Sequence, residues 1–78
     1  MIFDKIIEIL VEHLAIQSQD ITLDTSFKED LAIDSLELYE LVMALEEEFN
    51  IEMPEDRENE IETVEDLVRI LKELGVEE

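Results

Sequence analysis

Ser35 is the residue whose position in the sequence is best suited to a covalent reaction. It lies in the sequence DSLELYE, between an aspartate and the first apolar residue of an amphipathic pattern. A catalytic serine would need a general base and an oxyanion-binding loop. The only histidine, His13, falls in another predicted helix, and the sequence contains no Gly-x-Ser-x-Gly elbow. No catalytic residue is therefore predicted, and Ser35 is interpreted as either a helix start or a site of covalent attachment.

Metal and thiol chemistry are also poorly supported. The chain has no cysteine, which excludes disulfides and thiolate zinc sites. A superficial match to a calcium-binding loop begins with Asp20, Thr22 and Asp24. Its sixth position is Thr25 rather than glycine, and its twelfth is Leu31 rather than glutamate. We therefore predict no metal site.

Asp34 and Glu37 suggest how Ser35 is positioned. An aspartate that precedes a helix can accept the third amide, and a glutamate three residues later can bond back to the cap. This arrangement places Ser35 in the first turn, outside the core and beside the positive end of the helix dipole. A phosphodiester attached to the Ser35 hydroxyl would be stabilised electrostatically at that position.

Four amphipathic segments predict an all-α fold for the whole chain. Apolar residues that recur at three- and four-residue steps predict one helix over about 2–16 and another over about 34–50. The long connection between them is predicted to be packed or functional, as connections of this length in a compact domain usually are. Its apolar residues are spaced to reach a core repeatedly: Ile21, Leu23, Phe27, Leu31 and Ile33.

The C-terminal third is predicted to contain two shorter elements. Pro54 suits the start of a short element over about 55–61. Thr63 and Asp66 form a second capping pair, and Gly75 suits the C-terminal cap of the last helix. Because the chain has 78 residues, which is too few for two cores, we expect a single domain over 1–78.

The strongly acidic composition limits the choice of partners. Twenty-four acidic against five basic residues give a formal net charge of −19. This charge repels nucleic acid and anionic membrane surfaces, whereas it attracts basic protein surfaces. No apolar run approaches the ~18 residues of a membrane span, and no signal-peptide h-region precedes a small-residue cleavage site in this sequence. We predict a cytoplasmic monomer that neither binds nucleic acid nor inserts into membranes.

The second predicted helix has two distinct faces. At 100° per residue, its core face consists of Leu38, Leu41, Val42, Leu45 and Phe49. A stripe on nearly the opposite side consists of Leu36, Glu40, Met43 and Glu47, flanked by Glu37, Ala44 and Glu48. Single exposed apolar residues are common. Two of them on one stripe, framed by carboxylates and next to Ser35, predict a docking surface.

The segment DLAIDSLELYELVMALEEEF resembles acyl carrier proteins of the dissociated, type II fatty-acid synthase. ITLDTSFKEDL before it and MPEDRENEIETVEDLV after it also match the layout of that family. Alanine at position 32 departs from the family, which often has glycine there. The resemblance covers nearly the whole chain, and it implies a small four-helix bundle with a long first loop and a short third helix.

The resemblance also implies a function and its residues. Ser35 would carry a covalent 4′-phosphopantetheine, whose thiol holds acyl groups as thioesters. The partners would be a phosphopantetheinyl transferase and fatty-acid synthesis enzymes with basic patches. The residues that they would recognise are Asp34, Leu36, Glu37, Glu40, Met43, Glu47, Glu48, Met53 and Glu55. An acyl cavity inside the bundle would be lined by Phe27, Leu45, Phe49, Ile61 and Leu67.

Two alternative functions remain open from the sequence. A discrete carrier for polyketide or aminoacyl cargo could have the same features, because the attachment chemistry is shared. An unmodified acidic module that binds other proteins would explain the charge, but it would leave the position of Ser35 without a role.

Overall fold

The computed structural model describes residues 1–78 and contains four helices. The three α-helices are α1 (Ile2–Leu14), α2 (Ser35–Phe49) and α3 (Val64–Glu73). A 3₁₀ helix, Glu55–Glu60, lies between α2 and α3, and a short 3₁₀ turn, Ser18–Asp20, lies in the first loop. The predicted all-α fold with a short third helix is confirmed, and that third helix is of the 3₁₀ type.

One hydrophobic core joins these elements. α1 packs against both α2 and α3. Seventeen buried apolar residues, drawn from the three α-helices and from the connections between them, form a continuous cluster. The longest helix, α2, has 15 residues, and no helix is both long and apolar enough to cross a bilayer.

The ends of α1 and α3 depend on residues with positive φ. α1 ends at Leu14, two residues earlier than predicted, because Ala15 adopts the left-handed conformation with φ of 56°. At the end of α3, Gly75 has φ of 103°. The amides of Gly75 and Val76 donate to the carbonyls of Lys72 and Leu71, which is the Schellman arrangement.

These two positions give a prediction about stability. A left-handed L-residue costs about 1–2 kcal/mol, so Gly75→Ala should lower the free energy of unfolding by about that amount. Ala15→Gly should raise it by about 0.5–1 kcal/mol, since relief of strain exceeds the extra entropy of the unfolded chain. Chemical denaturation of both variants measures these changes. Equal destabilisation by both variants would contradict the backbone explanation.

The long first loop is fastened to the start of α3. The amide of Phe27 donates to the carbonyl of Glu62 at 3.0 Å, and the amide of Val64 donates to the carbonyl of Thr25 at 3.0 Å. A third bond joins the amide of Glu65 to the carbonyl of Leu23 at 2.9 Å. We refer to these three hydrogen bonds as the clasp. They hold the irregular first loop against the start of α3, so the loop has a defined position.

Most of the apolar loop residues pack as predicted. Ile21, Phe27 and Ile33 are buried, and Leu31 is half-buried against the core. Leu23 is the exception, because its side chain remains 43% exposed. The carbonyl of Leu23 belongs to the clasp, and this backbone contact, rather than burial of the side chain, holds the residue in place.

Asp66 anchors the N-terminus of α3. Its carboxylate accepts hydrogen bonds from the amides of Thr63 and Glu62, both at 3.0 Å, and from the guanidinium of Arg69 at 3.2 Å. Burial acts against the charged form, but these donors outweigh it and lower the pKa of Asp66. A carboxyl whose pKa is lowered by folding stabilises the fold at neutral pH, and this contribution is lost as the pH falls through the lowered pKa.

Candidate functional site

The site begins at the N-terminus of α2. The amide of Glu37 donates to Asp34 Oδ1 at 2.8 Å, and the amide of Asp34 donates to Glu37 Oε1 at 3.1 Å. The predicted capping pair is therefore confirmed. Ser35 is exposed in the first turn, and its hydroxyl has no hydrogen-bond partner within the protein. The amides of Ser35 and Leu36 have no acceptor inside the helix, because the first turn of a helix supplies none.

The end of the loop directs the chain into this turn. Ala32 has φ of 55°, a conformation that favours glycine. The next residue, Ile33, is buried, and its amide donates to the carbonyl of Phe27 at 2.9 Å. The reversal at Ala32 therefore lets the loop fold back on itself immediately before Asp34. Ser35 is thereby placed next to the loop rather than away from it.

A cleft of about 490 Å³ lies beside Ser35. We refer to it as the Ser35 cleft. The loop, the start of α2 and the segment before α3 contribute its walls, so the clasp holds two of them together. Its lining residues are Ser26, Phe27, Lys28, Glu29, Ala32, Ile33, Asp34, Ser35, Leu38, Ile61 and Glu62.

The predicted acyl-cavity residues do not line one common space. Phe27 and Ile61 line the Ser35 cleft. Leu45 and Leu67 are fully packed in the core, and Phe49 is half-buried at its edge. An acyl chain that reached all five residues would have to displace core side chains. The role of these residues in holding cargo stays a prediction.

The outer stripe of α2 is exposed as the helical periodicity predicts. Leu36 is 65% and Met43 is 48% exposed, and both Glu40 and Glu47 face solvent. Neither glutamate makes an ion pair or a side-chain hydrogen bond, unlike Glu48, which pairs with Lys5 at 3.5 Å. Two apolar side chains and two unpaired carboxylates therefore lie together on one surface.

A groove between α1 and α2 extends this stripe. It has a volume of about 510 Å³ and is lined from α1 by Ile9, His13 and Leu14. From α2 it is lined by Leu36, Glu37, Tyr39, Glu40, Leu41, Met43, Ala44 and Glu47. The helical periodicity of α2 could not reveal the contribution of α1, because that contribution depends on how the two helices pack.

Met53 does not lie on this surface, and its predicted place among the recognition residues is corrected. The side chain is only 7% exposed and belongs to the core, while its amide donates to Glu46 Oε2 at 2.6 Å. Glu55, the other residue predicted near the third helix, is exposed. Burial and the nearby carboxylates of Glu46 and Glu55 raise the pKa of Glu58. The carboxylates of Glu46, Glu55 and Glu58 therefore lie close together between the end of α2 and the 3₁₀ helix.

Sequence reasoning missed Lys28. This residue lines the Ser35 cleft and makes no ion pair within 4.0 Å. The other four basic residues each pair with at least one carboxylate: Lys5, Arg57, Arg69 and Lys72. The sequence contained one usable signal, since Lys28 is the only lysine or arginine between positions 6 and 56.

The site is suited to a covalently attached phosphodiester. The Ser35 hydroxyl is exposed and unpaired, and the first turn of α2 directs unbonded amides towards an attached anion. The adjacent cleft has apolar walls at Phe27, Ile33 and Leu38. No histidine lines this cleft, because His13 lines the groove between α1 and α2 instead. These features fit a serine that is modified rather than one that attacks a substrate.

Comparison with known proteins agrees with this geometry. Residues 4–71 match the family model for the phosphopantetheine attachment site. An acyl carrier protein from Clostridium acetobutylicum is 43% identical over 72 residues, which cover 92% of this chain and 94% of the relative. Another, from Wolinella succinogenes, is 48% identical over 71 residues, or 91% and 93% of the two chains. The chain belongs to the acyl carrier protein family.

The fold of this carrier also matches a solved relative. The crystal structure of an acyl carrier protein from Thermotoga maritima superposes with a TM-score of 0.81 at 28% identity, covering 91% of this chain and 82% of the other. Members of this family are carriers rather than enzymes, and the matched domain is the attachment site of phosphopantetheine. The predicted family, cofactor and non-enzymatic class are therefore confirmed.

Proposed function

We propose that residues 1–78 form a single carrier domain whose Ser35 bears 4′-phosphopantetheine and whose cargo is the growing chain of fatty-acid biosynthesis. The observation that supports this most directly is the exposed, unpaired hydroxyl of Ser35 in the first turn of a capped helix, within the matched domain. Ser18 and Ser26 lack this setting. Ser18 begins a short 3₁₀ turn, and the Ser26 hydroxyl accepts a hydrogen bond from the amide of Glu29 at 3.1 Å.

The chain and its prosthetic group have complementary tasks. When attached, the arm supplies the thiol that holds cargo as a thioester. The chain has no cysteine, so it offers no thiol of its own that could compete for the cargo. The protein presents the Ser35 hydroxyl, and the dipole of α2 favours the negative charge that modification adds there. The capping bonds between Asp34 and Glu37 fix the direction of this turn.

The stripe on α2 is the surface by which we expect partners to dock. These partners are a phosphopantetheinyl transferase and fatty-acid synthesis enzymes that carry basic patches, all acting on a monomeric carrier in the cytoplasm. Exposed apolar side chains at Leu36 and Met43 would provide contact area, and Glu40 and Glu47 would pair with lysine or arginine. Of their predicted neighbours, Asp34, Glu48 and Glu55 are exposed and Glu37 is half-buried.

Loading followed by acylation tests this function. Purified protein is treated with a phosphopantetheinyl transferase and coenzyme A, and intact mass should increase by one phosphopantetheinyl group. The loaded carrier is then offered to fatty-acid synthesis enzymes, and the mass should advance in two-carbon steps. Loading without elongation, together with acceptance of an aminoacyl group or of an unreduced polyketide chain, would replace the fatty-acid assignment with the corresponding alternative.

A further inference from the structure

Lys28 stands apart from the other basic residues of this protein. In a chain with 24 acidic residues, the remaining four lysine and arginine side chains are all engaged in ion pairs, whereas Lys28 has none within 4.0 Å. It is exposed, and its ammonium group is carried on a flexible stem of four carbons. An unpaired cation therefore lines the same cleft as the attachment serine.

The residues that line the Ser35 cleft carry mostly negative charge. Three carboxylates line the cleft, those of Glu29, Asp34 and Glu62, and Lys28 is the only cation among the lining residues. Asp34 immediately precedes Ser35, so its carboxylate would repel the negative charge of a phosphodiester on Ser35. The amides of the first turn offset part of this repulsion. A neighbouring ammonium group would offset more of it, because opposite charges a few ångströms apart attract.

We propose that Lys28 is a positioning residue for the prosthetic arm, and that its ammonium group pairs with the phosphodiester on Ser35. This inference rests on the proposed function of Ser35. The pairing directs the first part of the arm over the Ser35 cleft, whose apolar walls include Phe27 and Ile61. The loop determines this position, since Phe27, the neighbour of Lys28, is held in the clasp through its amide.

The test uses fully loaded protein whose modification has been verified by intact mass. In the unsubstituted carrier, NMR should detect nuclear Overhauser effects between the Lys28 side-chain methylenes and the arm protons next to phosphorus. Lys28→Gln should shift the ³¹P resonance of the diester and abolish these contacts. Lys28→Arg should keep the ³¹P resonance near its original position, because the guanidinium also donates to phosphate oxygens.

Lys72→Gln is the matched control. It removes the same charge from α3, where Lys72 pairs with Glu78 and does not line the cleft. We expect Lys28→Gln to shift the ³¹P signal several-fold more than Lys72→Gln does. Equal shifts, or the absence of Overhauser effects in the unsubstituted carrier, would overturn the role of Lys28. Failure to load Ser35 at all would instead refute the proposed function, so the two failures are distinguishable.

Discussion

Ser35→Ala is expected to abolish phosphopantetheinylation completely. The substitution removes the only oxygen that can form the ester at the first turn of α2, and no other residue replaces it there. The Ser35 hydroxyl has no hydrogen-bond partner in the protein, so the fold should persist with a change in unfolding free energy within about 0.5 kcal/mol. Intact mass after treatment with a transferase and coenzyme A measures the modification, and circular dichroism verifies the fold.

Ser26→Ala serves as the control for this result. Ser26 lines the same cleft and also has a hydroxyl group, but that hydroxyl is engaged by the amide of Glu29 at 3.1 Å. We expect Ser26→Ala to be loaded to the same final extent as the unsubstituted protein. Modification of the Ser35→Ala variant, or a labelled peptide that contains Ser18 or Ser26 instead, would show that the attachment site is assigned wrongly.

The double reversal Glu40→Lys/Glu47→Lys should slow loading of Ser35 by tenfold or more at low salt. Electrostatic steering contributes about 10- to 1,000-fold to association rates, and the reversal replaces two attractive charges by two repulsive ones. Neither glutamate has a partner to lose, and both lie outside the core. The melting temperature should therefore hold steady, or rise slightly as the net charge falls. The measurement is the initial rate of phosphopantetheinyl transfer at several salt concentrations.

The control for this variant must carry the same change of net charge elsewhere. Glu73 is unsuitable, because it bonds to Arg57 at 2.7 Å and pairs with Arg69 at 3.7 Å, so its reversal would also disrupt α3. Asp20 and Glu77 are exposed and unpaired, and neither lines the groove or the cleft. If Asp20→Lys/Glu77→Lys slowed transfer as much as the α2 double reversal, overall charge rather than the α2 stripe would control recognition.

The sequence predicted the site best where a local pattern controls the structure. Asp34 and Glu37 cap α2 through bonds that span three residues, so the sequence pattern alone placed Ser35 in the first turn. Helical periodicity predicted the exposure of Leu36 and Met43 for a similar reason. In both cases the relevant distances lie within one helix, where spacing along the chain determines spacing in the structure.

Predictions failed where tertiary contacts decide the outcome. Met53 follows α2 in an irregular segment that has no helical period, and its side chain packs in the core while its amide donates to Glu46. Leu23 remains exposed, and its contact with α3 is made by its carbonyl rather than by its side chain. The isolation of Lys28 likewise depends on where the carboxylates of other elements lie. No local pattern contains this information.

The clasp between the loop and α3 has a consequence for how the carrier can open. A backbone hydrogen bond joins Phe27 to Glu62, so residues 27–62 form a closed ring. This ring includes α2, the 3₁₀ helix and ten of the eleven residues that line the Ser35 cleft. Because Phe27 and Ile61 lie at or next to this hydrogen bond, moving their backbones apart would stretch it. We therefore expect that any widening of the cleft at this end would weaken the clasp between the first loop and the start of α3.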